Sequence, residues 1–364
     1  MSKAARTIGI LTGGGDCPGL NAVIRAVVRT AMLEHGWTVL GIPDGYDGLV
    51  FPERIRPLTL QDISGILPRG GTILGTSNRG NPFSFPLEEN GVIVKKNVFP
   101  QLLANYDKVG LEALVLVGGD GTMKIGLEMF RNGKNVVGVP KTIDNDLSAT
   151  EVTFGFDTAL HTATDAIDKL HSTAESHHRV MLVEVMGREA GWIGLHAGIA
   201  GGADVILIPE IPFSRERICA KIEERARAGR MFSIVVVAEG CVAQDNRSVQ
   251  RTGKEPYRTP KSGEISNIVA SWISADTGRE TRVTVLGHTQ RGGSPSPFDR
   301  VLSTRMGVEA VNLIARGEFG RMVCLRCGSI ESTPIETAVG ELKRVSPQDE
   351  LVRTARALGV SFGD

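Results

Sequence analysis

The sequence predicts an α/β protein with mostly parallel sheets. Short apolar runs such as Leu114–Val117 end in glycine-rich turns, and amphipathic segments with helical spacing follow them. Regular alternation of strand and helix is typical of a parallel sheet with right-handed crossovers. The length of 364 residues fits two domains or one large one, and the 44 glycines fit many tight turns between strands and helices.

The composition argues against several classes of protein. The 41 basic and 41 acidic residues balance, so no overall field favours nucleic acid or an anionic membrane as a partner. Met1–Arg6 leads into a strand without the apolar core of a signal peptide, and no apolar run approaches the length of a membrane span. The five cysteines are expected to be reduced thiols, with Cys324 and Cys327 an isolated CxxC pair. We expect a soluble, cytoplasmic protein.

Two glycine-rich loops in the first quarter of the chain are candidate phosphate sites. The predicted strand over residues 7–11 is followed by Thr12–Gly19 and by a helix from about Leu20. Unobstructed backbone N–H groups before a helix N-terminus favour bound phosphate. A second strand over residues 37–42 precedes the loop 69–81, which is rich in glycine and hydroxyl groups. A plain surface excursion is the alternative for this second loop.

A third glycine loop follows the strand Leu114–Val117. It contains Gly118–Thr122, and a helix is predicted from about Met123. A carboxylate at a glycine turn before a helix can hold Mg²⁺, which makes Asp120 a candidate ligand. Gly121 and Thr122 would admit phosphate oxygens.

The segment Pro140–Asp146 follows a buried strand over residues 135–139 and carries two carboxylates. If the segment is extended, Asp144 and Asp146 project the same way, about 6–7 Å apart. One could then handle a proton while the other helps to hold a cation. An Asx-rich turn that merely ends the strand is the alternative.

The second half of the chain repeats this pattern of strands and helices. Charged residues follow its strands at the ends where an open sheet presents groups to ligands. The polar stretch 243–261 is interpreted as an inserted loop. The predicted elements are a helix over Thr158–Glu175; strands 180–185, 205–208 and 234–237, followed by Met186–Arg188, Glu210 and Glu239–Gly240; a helix over 265–273; a strand over 281–286, followed by Gly287–Gly293; a helix over 299–316; and a final short strand and helix.

Glycine loops, paired aspartates and scattered Arg and His side chains together favour phosphoryl transfer between two phosphorylated ligands. Asp120 and Asp146 are the candidate Mg²⁺ ligands, and Asp144 is the candidate base for a sugar hydroxyl. Arg79 and Lys141 could neutralise charge on the transferred group.

Six motifs carry a resemblance to a known family. In chain order they are LTGGGDCPGLNAVIR, RGGTILGT, GGDGT, PKTIDND, VEVMGREAG and VLGHTQRGG. The sequence resembles 6-phosphofructokinase from about Thr7 to about Gly328, and within it the branch that contains both ATP-using and pyrophosphate-using members. The resemblance implies two Rossmann-like three-layer domains with the active site in the cleft between them. It further implies phosphorylation of fructose 6-phosphate in glycolysis, with Mg²⁺ as cofactor.

The resemblance also implies domain boundaries and an assembly. A donor domain of residues 1–155 plus about 289–340 is expected, with a fructose 6-phosphate domain of about 156–288 and a C-terminal helical extension of 341–364. A homodimer or homotetramer with shared active sites is expected.

Residue roles follow from the matching motif positions. Asp144 is the implied proton acceptor for the sugar 1-hydroxyl, and Arg179 and Arg282 are implied to reach the 6-phosphate from a neighbouring subunit. The other implied residues are, for the donor, Gly15, Asn78, Arg79, Gly119, Asp120, Gly121 and Thr122; for the sugar phosphate, Thr142, Ile143, Met186, Gly187, Arg188, Glu239, His288 and Arg291; and for the metal, Asp120 and Asp146.

Three positions depart from the pattern of ATP-using members. Asn78 stands where many have an arginine, with Arg79 one position later, and His171 stands where an effector-site arginine is often found. Lys141 replaces a glycine. In pyrophosphate enzymes an aspartate usually fills the position of Gly121, where it would repel the α-phosphate of ATP. Gly121 imposes no such repulsion, so ATP is the expected donor and pyrophosphate is the alternative.

Two other functions fit part of the sequence. NAD and lipid kinases also carry a GGDGT loop, but PKTIDND, MGR and GHTQRGG supply a sugar-phosphate pocket that this loop alone does not. A non-catalytic metabolite sensor on the same scaffold could dispense with Asp144, which is present here.

Overall fold

The computed structural model describes residues 6–77, 80–89, 91–244 and 262–364. Within them the strands are, in chain order, β1 (Thr7–Thr12), β2 (Thr38–Ile42), β3 (Arg56–Leu58), β4 (Phe85–Glu89), β5 (Val92–Lys96), β6 (Ala113–Gly118), β7 (Val136–Pro140), β8 (Val180–Val185), β9 (Val205–Leu207), β10 (Ser233–Ala238), β11 (Thr281–Val285), β12 (Arg321–Arg326) and β13 (Ser329–Pro334).

The helices alternate with these strands through most of the chain. They are α1 (Leu20–His35), α2 (Asp47–Val50), α3 (Phe99–Lys108), α4 (Asp120–Arg131), α5 (Phe156–His177), α6 (Trp192–Ala200), α7 (Arg215–Arg227), α8 (Glu264–Thr277), α9 (Pro297–Arg316), α10 (Ile335–Ala338) and α11 (Glu350–Ala357), with short 3-10 helices at Pro52–Arg54 and Gly287–Arg291. Among the residues described, no helix combines the length and apolar character that a membrane span requires.

The chain forms two compact units. Unit 1 contains residues 1–143, 147–157 and 291–342, and unit 2 contains residues 144–146, 158–290 and 343–364. The three residues Asp144–Asp146 and the last 22 residues therefore pack with unit 2. The assignment of a donor role to one unit and a sugar role to the other stays a prediction.

Unit 1 is organised around a seven-stranded sheet in the order β13-β12-β7-β6-β1-β2-β3. The strands from β12 to β2 pair in parallel, whereas the edge strands β3 and β13 are antiparallel to their neighbours. All residues of β6 and β7 are buried, as the Val- and Leu-rich runs of a sheet covered on both faces require. β1 and β6 are adjacent although far apart in sequence, so the loops that follow them lie side by side at the carboxyl edge.

Unit 2 has a four-stranded sheet in the order β11-β8-β10-β9, and all of its pairs are parallel. Its core joins Val180, Leu182, Val235 and Val237 of the central strands to side chains of α7 and α8. Ser214 begins α7 by accepting a hydrogen bond from the N–H of Arg217 at 3.2 Å, the usual role of an N-cap serine. The central strands β8 and β10 end next to each other, with Met186 and Glu239 immediately after them.

The α/β class with mostly parallel sheets is confirmed. The features that were not predicted include the antiparallel edge strands of unit 1 and the two-stranded hairpin of β4 and β5. The predicted loop 243–261 lies outside the described residues from position 245 onward, and Ala243 forms a bridge with Phe213.

Candidate active site

Backbone N–H groups of the first glycine loop of unit 1 bind carbonyl groups of neighbouring segments. Gly13 donates to the carbonyl oxygen of Val117 at 2.9 Å, and Gly14 donates to that of Ser77 at 3.1 Å. Gly14 has φ +77°, a conformation that glycine adopts without strain. A Cβ atom added at Gly13 would lie 2.6 Å from Oγ1 of Thr122, so this position has no room for a side chain. The first and third loops are therefore packed against each other.

Two predicted cations of unit 1 lie against the same loop. Nζ of Lys141 donates to the carbonyl oxygen of Gly15 at 2.5 Å, and Lys141 is 4% exposed. Nη1 of Arg291 donates to the carbonyl oxygen of Asp16 at 3.2 Å. A Cβ atom at Gly15 would come within 2.8 Å of that guanidinium. Both cations thus concentrate positive charge at a loop predicted to hold phosphate, although the resemblance assigns Arg291 to the sugar phosphate.

The third loop begins α4. Asp120 is the first residue of the helix, and its carboxylate pairs with Lys124 at 2.7 Å. The hydroxyl of Tyr46 donates to the carbonyl oxygen of Thr122 at 2.8 Å, which fixes the first turn of the helix. Gly119 lies at the N-cap, so the free N–H groups and the positive end of the helix dipole adjoin the predicted donor residues.

Gly121 differs from the other glycines of these loops. A Cβ atom added there would meet no atom within 4 Å, and its φ lies outside the left-handed region. Space rather than backbone conformation therefore distinguishes this position. A larger side chain at 121 would extend into the open region beside the donor loops.

The second loop contacts the first through Thr76, whose hydroxyl donates to the carbonyl oxygen of Gly14 at 2.5 Å. Asn21 of α1 fixes its centre by donating to the carbonyl oxygen of Arg69 at 3.0 Å and accepting from the N–H of Ile73 at 2.9 Å. Asn78 and Arg79 lie outside the described residues. Their predicted roles remain predictions.

The segment that carries the paired aspartates is not extended. Asn145, between them, has φ +52°, so the chain turns at that residue and the extended-strand argument for Asp144 and Asp146 was wrong. Asparagine tolerates this left-handed conformation better than most residues. Before the turn, Ile143 is fully buried and the carbonyl oxygen of Thr142 accepts a hydrogen bond from Thr153 at 2.7 Å.

Unit 2 brings four of the predicted sugar-phosphate residues together at the carboxyl edge of its sheet. Met186, Gly187 and Arg188 follow β8, and Glu239 follows the adjacent β10. Nε of Arg188 donates to Oε1 of Glu239 at 3.0 Å. Gly187 has φ +133°, and a Cβ atom there would lie 2.8 Å from the carbonyl oxygen of Ala190. His288 lies in the 3-10 helix after β11 and is exposed.

Arg179 and Arg282 lie at the opposite edge of the same sheet. Arg179 immediately precedes β8, and Arg282 is the second residue of β11. Nε of Arg179 donates to Glu280 at 2.8 Å, and Arg282 pairs with the same carboxylate. The hydrogen bond from Arg179 lowers the pKa of Glu280. The six residues of β8 separate Arg179 from Met186, and a strand of that length spans about 20 Å.

The sequence matches the phosphofructokinase family model over residues 7–314. This chain belongs to the phosphofructokinase family. Curated relatives align over nearly their whole length. An ATP-dependent 6-phosphofructokinase of Chloroflexus aurantiacus is 52% identical over 100% of this chain and 99% of its own. A pyrophosphate–fructose 6-phosphate 1-phosphotransferase of Amycolatopsis methanolica is 51% identical over 94% of this chain and 96% of its own.

A solved structure of similar fold is phosphofructokinase from Saccharomyces cerevisiae. The match has a TM-score of 0.77 and 31% identity, and it covers 92% of this chain and 45% of the yeast chain. The predicted membership of the family, including a branch with both donors among its relatives, is confirmed.

Two residues of this phosphofructokinase were missed from its sequence. Gln290 is fully buried, and its Oε1 accepts from the N–H of Met186 at 3.3 Å, which ties the helix of His288 to the loop after β8. Glu184 is 2% exposed and accepts from the N–H of Gly263 and the hydroxyl of Ser266, each at 2.5 Å, at the start of α8. Both lie within motifs of the resemblance, but only tertiary contacts reveal their roles.

Three titratable groups near the donor loops of the phosphofructokinase have perturbed pKa values. Burial raises the pKa of the Cys17 thiol to about 12, so this thiol is neutral and unreactive. Burial also raises the pKa of Tyr46, which keeps its hydroxyl protonated as the donor to Thr122. Burial raises the pKa of Asp47, and a hydrogen bond from Ser77 opposes that rise.

The described residues contain no group of three or more His, Cys, Asp or Glu side chains arranged to hold a metal ion. Mg²⁺ in phosphoryl-transfer enzymes is commonly bound by one or two carboxylates, with phosphates and water completing the shell. Asp120, a single carboxylate at the start of α4, is a ligand of the type that such a Mg²⁺ site needs.

Proposed function

We propose that this phosphofructokinase phosphorylates the 1-hydroxyl of fructose 6-phosphate with ATP and Mg²⁺, the committed step of glycolysis. The observation that carries the choice of donor is the space at Gly121, where an added Cβ atom meets nothing within 4 Å. A carboxylate in that space would face the α-phosphate of ATP. At ~4 Å and an effective dielectric of ~20, such a repulsion is on the order of 4 kcal/mol. Glycine avoids it.

Most residues on the donor side of the proposed mechanism belong to unit 1, whereas Asp146 belongs to unit 2. The N–H groups at the start of α4 and the glycine loop after β1 bind donor phosphates, and Lys141 and Arg291 balance their charge. Mg²⁺, held by Asp120 and Asp146, would neutralise charge on the donor phosphates and on the transferred group. Asn78 and Arg79 are proposed to complete the donor site.

The acceptor side assigns one proton transfer and several binding contacts. Asp144 accepts the proton of the sugar 1-hydroxyl as that oxygen attacks the terminal phosphorus of the donor. Thr142, Ile143, Met186, Gly187, Arg188, Glu239, His288 and Arg291 bind the sugar phosphate and orient it. Arg188 would exchange its contact with Glu239 for one with the ligand.

The position of Arg179 and Arg282 supports an oligomer. Both lie at the edge of the unit 2 sheet away from Met186 and Glu239, so the length of β8 keeps them from the pocket of their own chain. A neighbouring subunit that presents this edge could supply two guanidinium groups to the 6-phosphate. We propose a homodimer or homotetramer with shared active sites in the cytoplasm.

Pyrophosphate is the second candidate donor. Lys141 favours pyrophosphate, because the buried cation at the glycine loop could neutralise the negative charge that pyrophosphate concentrates there. The donor is decided by initial rates with fructose 6-phosphate and either ATP or pyrophosphate, each with Mg²⁺. We expect turnover with ATP and at least a hundredfold lower kcat/KM with pyrophosphate. Ready turnover with pyrophosphate and none with ATP would overturn the argument from space and leave Lys141 as the determinant.

A further inference from the structure

The C-terminal segment of unit 2 contacts both the aspartate segment and the loop after β8. We name residues Lys343–Val345 the C-terminal tie. The N–H of Lys343 donates to the carbonyl oxygen of Asp146 at 2.8 Å. Asp146 follows the left-handed turn at Asn145, so this hydrogen bond fixes the backbone on one side of the turn that presents Asp144.

Trp192 binds the tie from α6. Its indole Nε1 donates to the carbonyl oxygen of Lys343 at 2.8 Å, and Nζ of Lys343 lies 5.3 Å from the centre of the indole ring. Lys343 is therefore held on both sides of its backbone, by Asp146 through its N–H and by Trp192 through its carbonyl group. Trp192 is the first residue of α6 and is largely buried, so it is a rigid support.

Glu210 binds the tie and the loop after β8 with the same carboxylate. Its Oε1 accepts from the N–H of Val345 at 2.9 Å and from the N–H of Gly191 at 2.9 Å. Gly191 is the N-cap of α6 and ends the loop that carries Arg188. A carboxylate at a helix N-terminus is favoured by the helix dipole.

We propose that Glu210 and Trp192 are positioning residues for phosphoryl transfer, acting through the C-terminal tie to hold the turn of Asp144 against the loop of Arg188. The inference rests on the proposed role of Asp144 as base. A base must lie within hydrogen-bond reach of the proton that it takes, and a misplacement of about 1 Å can cost on the order of a hundredfold in rate. The backbone of Asp146 has its partner in a segment nearly 200 residues further along the chain, which makes that geometry depend on the tie.

Three variants test the proposal. Glu210→Ala removes both acceptors and should lower kcat by about 10- to 100-fold and raise KM for fructose 6-phosphate. Glu210→Gln keeps a carbonyl oxygen that can accept from Val345 and Gly191, so it should recover most of that loss. Trp192→Phe keeps the ring but removes the donor to Lys343, and a smaller loss of about 3- to 10-fold is expected.

Arg356→Ala is the matched control. Arg356 pairs with Asp364 and lies over the ring of Phe362 in the same C-terminal segment, away from the residues of the tie. Its loss should leave kcat and KM within about twofold of wild type, because a half-exposed ion pair contributes little. Hydrogen exchange at the amides of Lys343 and Val345 should accelerate in the Trp192 and Glu210→Ala variants but not in the control.

A double mutant separates positioning from mere structural support. If Glu210 acts through Asp144, then Glu210→Ala should lower kcat little further in the Asp144→Asn background. A structural role would lower kcat by the same factor in both backgrounds, and that result would overturn the proposal. Native kcat and KM in Glu210→Ala with accelerated exchange would overturn it as well. Failure of the proposed function is distinct, because it appears as near-native turnover of Asp144→Asn alone.

Discussion

The predicted binding loops of unit 1 and of unit 2 differ in the residues that form them. In unit 1 the loops after β1 and β6 are rich in glycine, with one aspartate in each, and the cations Lys141 and Arg291 bind carbonyl oxygens of the first loop. In unit 2 the corresponding edge carries charged side chains that are already paired, such as Arg188 with Glu239. Unit 1 therefore presents open space at Gly121, and unit 2 presents paired charges that a ligand would have to separate.

The two kinds of loop would select their ligands in different ways. A phosphate that enters the loops of unit 1 needs room, so one side chain at Gly121 can decide the donor. A phosphate that enters the pocket of unit 2 must compete with Glu239 for Arg188, whose side chain is 65% exposed. Selection by space should be changed by single substitutions, whereas selection by charge should depend on several arginines together.

Removal of the proposed base should have the largest effect. Asp144→Asn keeps the size of the side chain and loses its ability to accept the proton, so kcat should fall by about 10²–10⁴ with a modest change in KM. Steady-state rates with fructose 6-phosphate measure the effect. An unchanged Tm serves as the control for folding. Near-native turnover would remove Asp144 from the mechanism.

A carboxylate at position 121 tests selection by space in unit 1. Gly121→Asp should lower kcat/KM for ATP by orders of magnitude, because the new charge faces the α-phosphate. Gly121→Ala is the matched control: its methyl group meets no atom within 4 Å, so ATP turnover and folding should be retained. Gly121→Asp should also gain some activity with pyrophosphate, since Lys141 remains to balance the charge of this donor. Equal losses in the two variants would show that the space at Gly121 is needed for another reason.

Mixed oligomers test whether the arginines of unit 2 act on a neighbouring chain. Asp144→Asn and Arg179→Ala chains should each be nearly inactive alone. In hybrids, one shared site would combine an intact Asp144 with an intact Arg179, so partial activity should return. Hybrid formation is confirmed by mass, and homo-oligomers of each variant are the controls. Confirmed hybrids without any recovery would place Arg179 in the site of its own chain.

Local chemistry made much of the fold predictable from the sequence. The largely apolar runs that became β6, β7, β8 and β10 and the turns after them are signals carried within a few residues. The hairpin of β4 and β5 was missed, although Val92–Val94 is an apolar run. All of β5 is exposed, so it lacks the alternation of buried and exposed residues that reveals a half-buried strand.

The candidate site was less predictable wherever it depends on distant partners. The left-handed turn at Asn145 cannot be distinguished from an extended segment by residue type alone. Glu210 was recognised as a strand-end residue, but its contact with Val345 joins positions 135 residues apart. The sharing of Glu280 by Arg179 and Arg282 likewise follows from the register of β8 and β11. Sequence patterns locate such groups on the sheet edges without revealing their partners.

The smallest expected effect concerns pH and the charges around the C-terminal tie. His196, on α6 one turn after Trp192, has a pKa below its usual value of 6.5, chiefly because it is buried and also because Lys343 lies nearby; Asp349 opposes the shift. The folded chain therefore disfavours the protonated ring. Between the lowered pKa and 6.5 the unfolded chain binds more protons, so the free energy of unfolding falls as the pH falls through that window.

His196→Gln removes this titration while retaining a polar side chain of similar reach. Thermal unfolding from pH 7.5 down to pH 5 should show a steeper loss of Tm in wild type than in the variant, with the two curves parallel above about pH 7. Fructose 6-phosphate kinetics over the same range provide a second comparison, because His196 adjoins Lys343 of the tie. If the two Tm curves stay parallel down to pH 5, the partly buried imidazole of His196 does not couple to folding. The charges of unit 2 would then contribute to ligand binding but not to the free energy of unfolding.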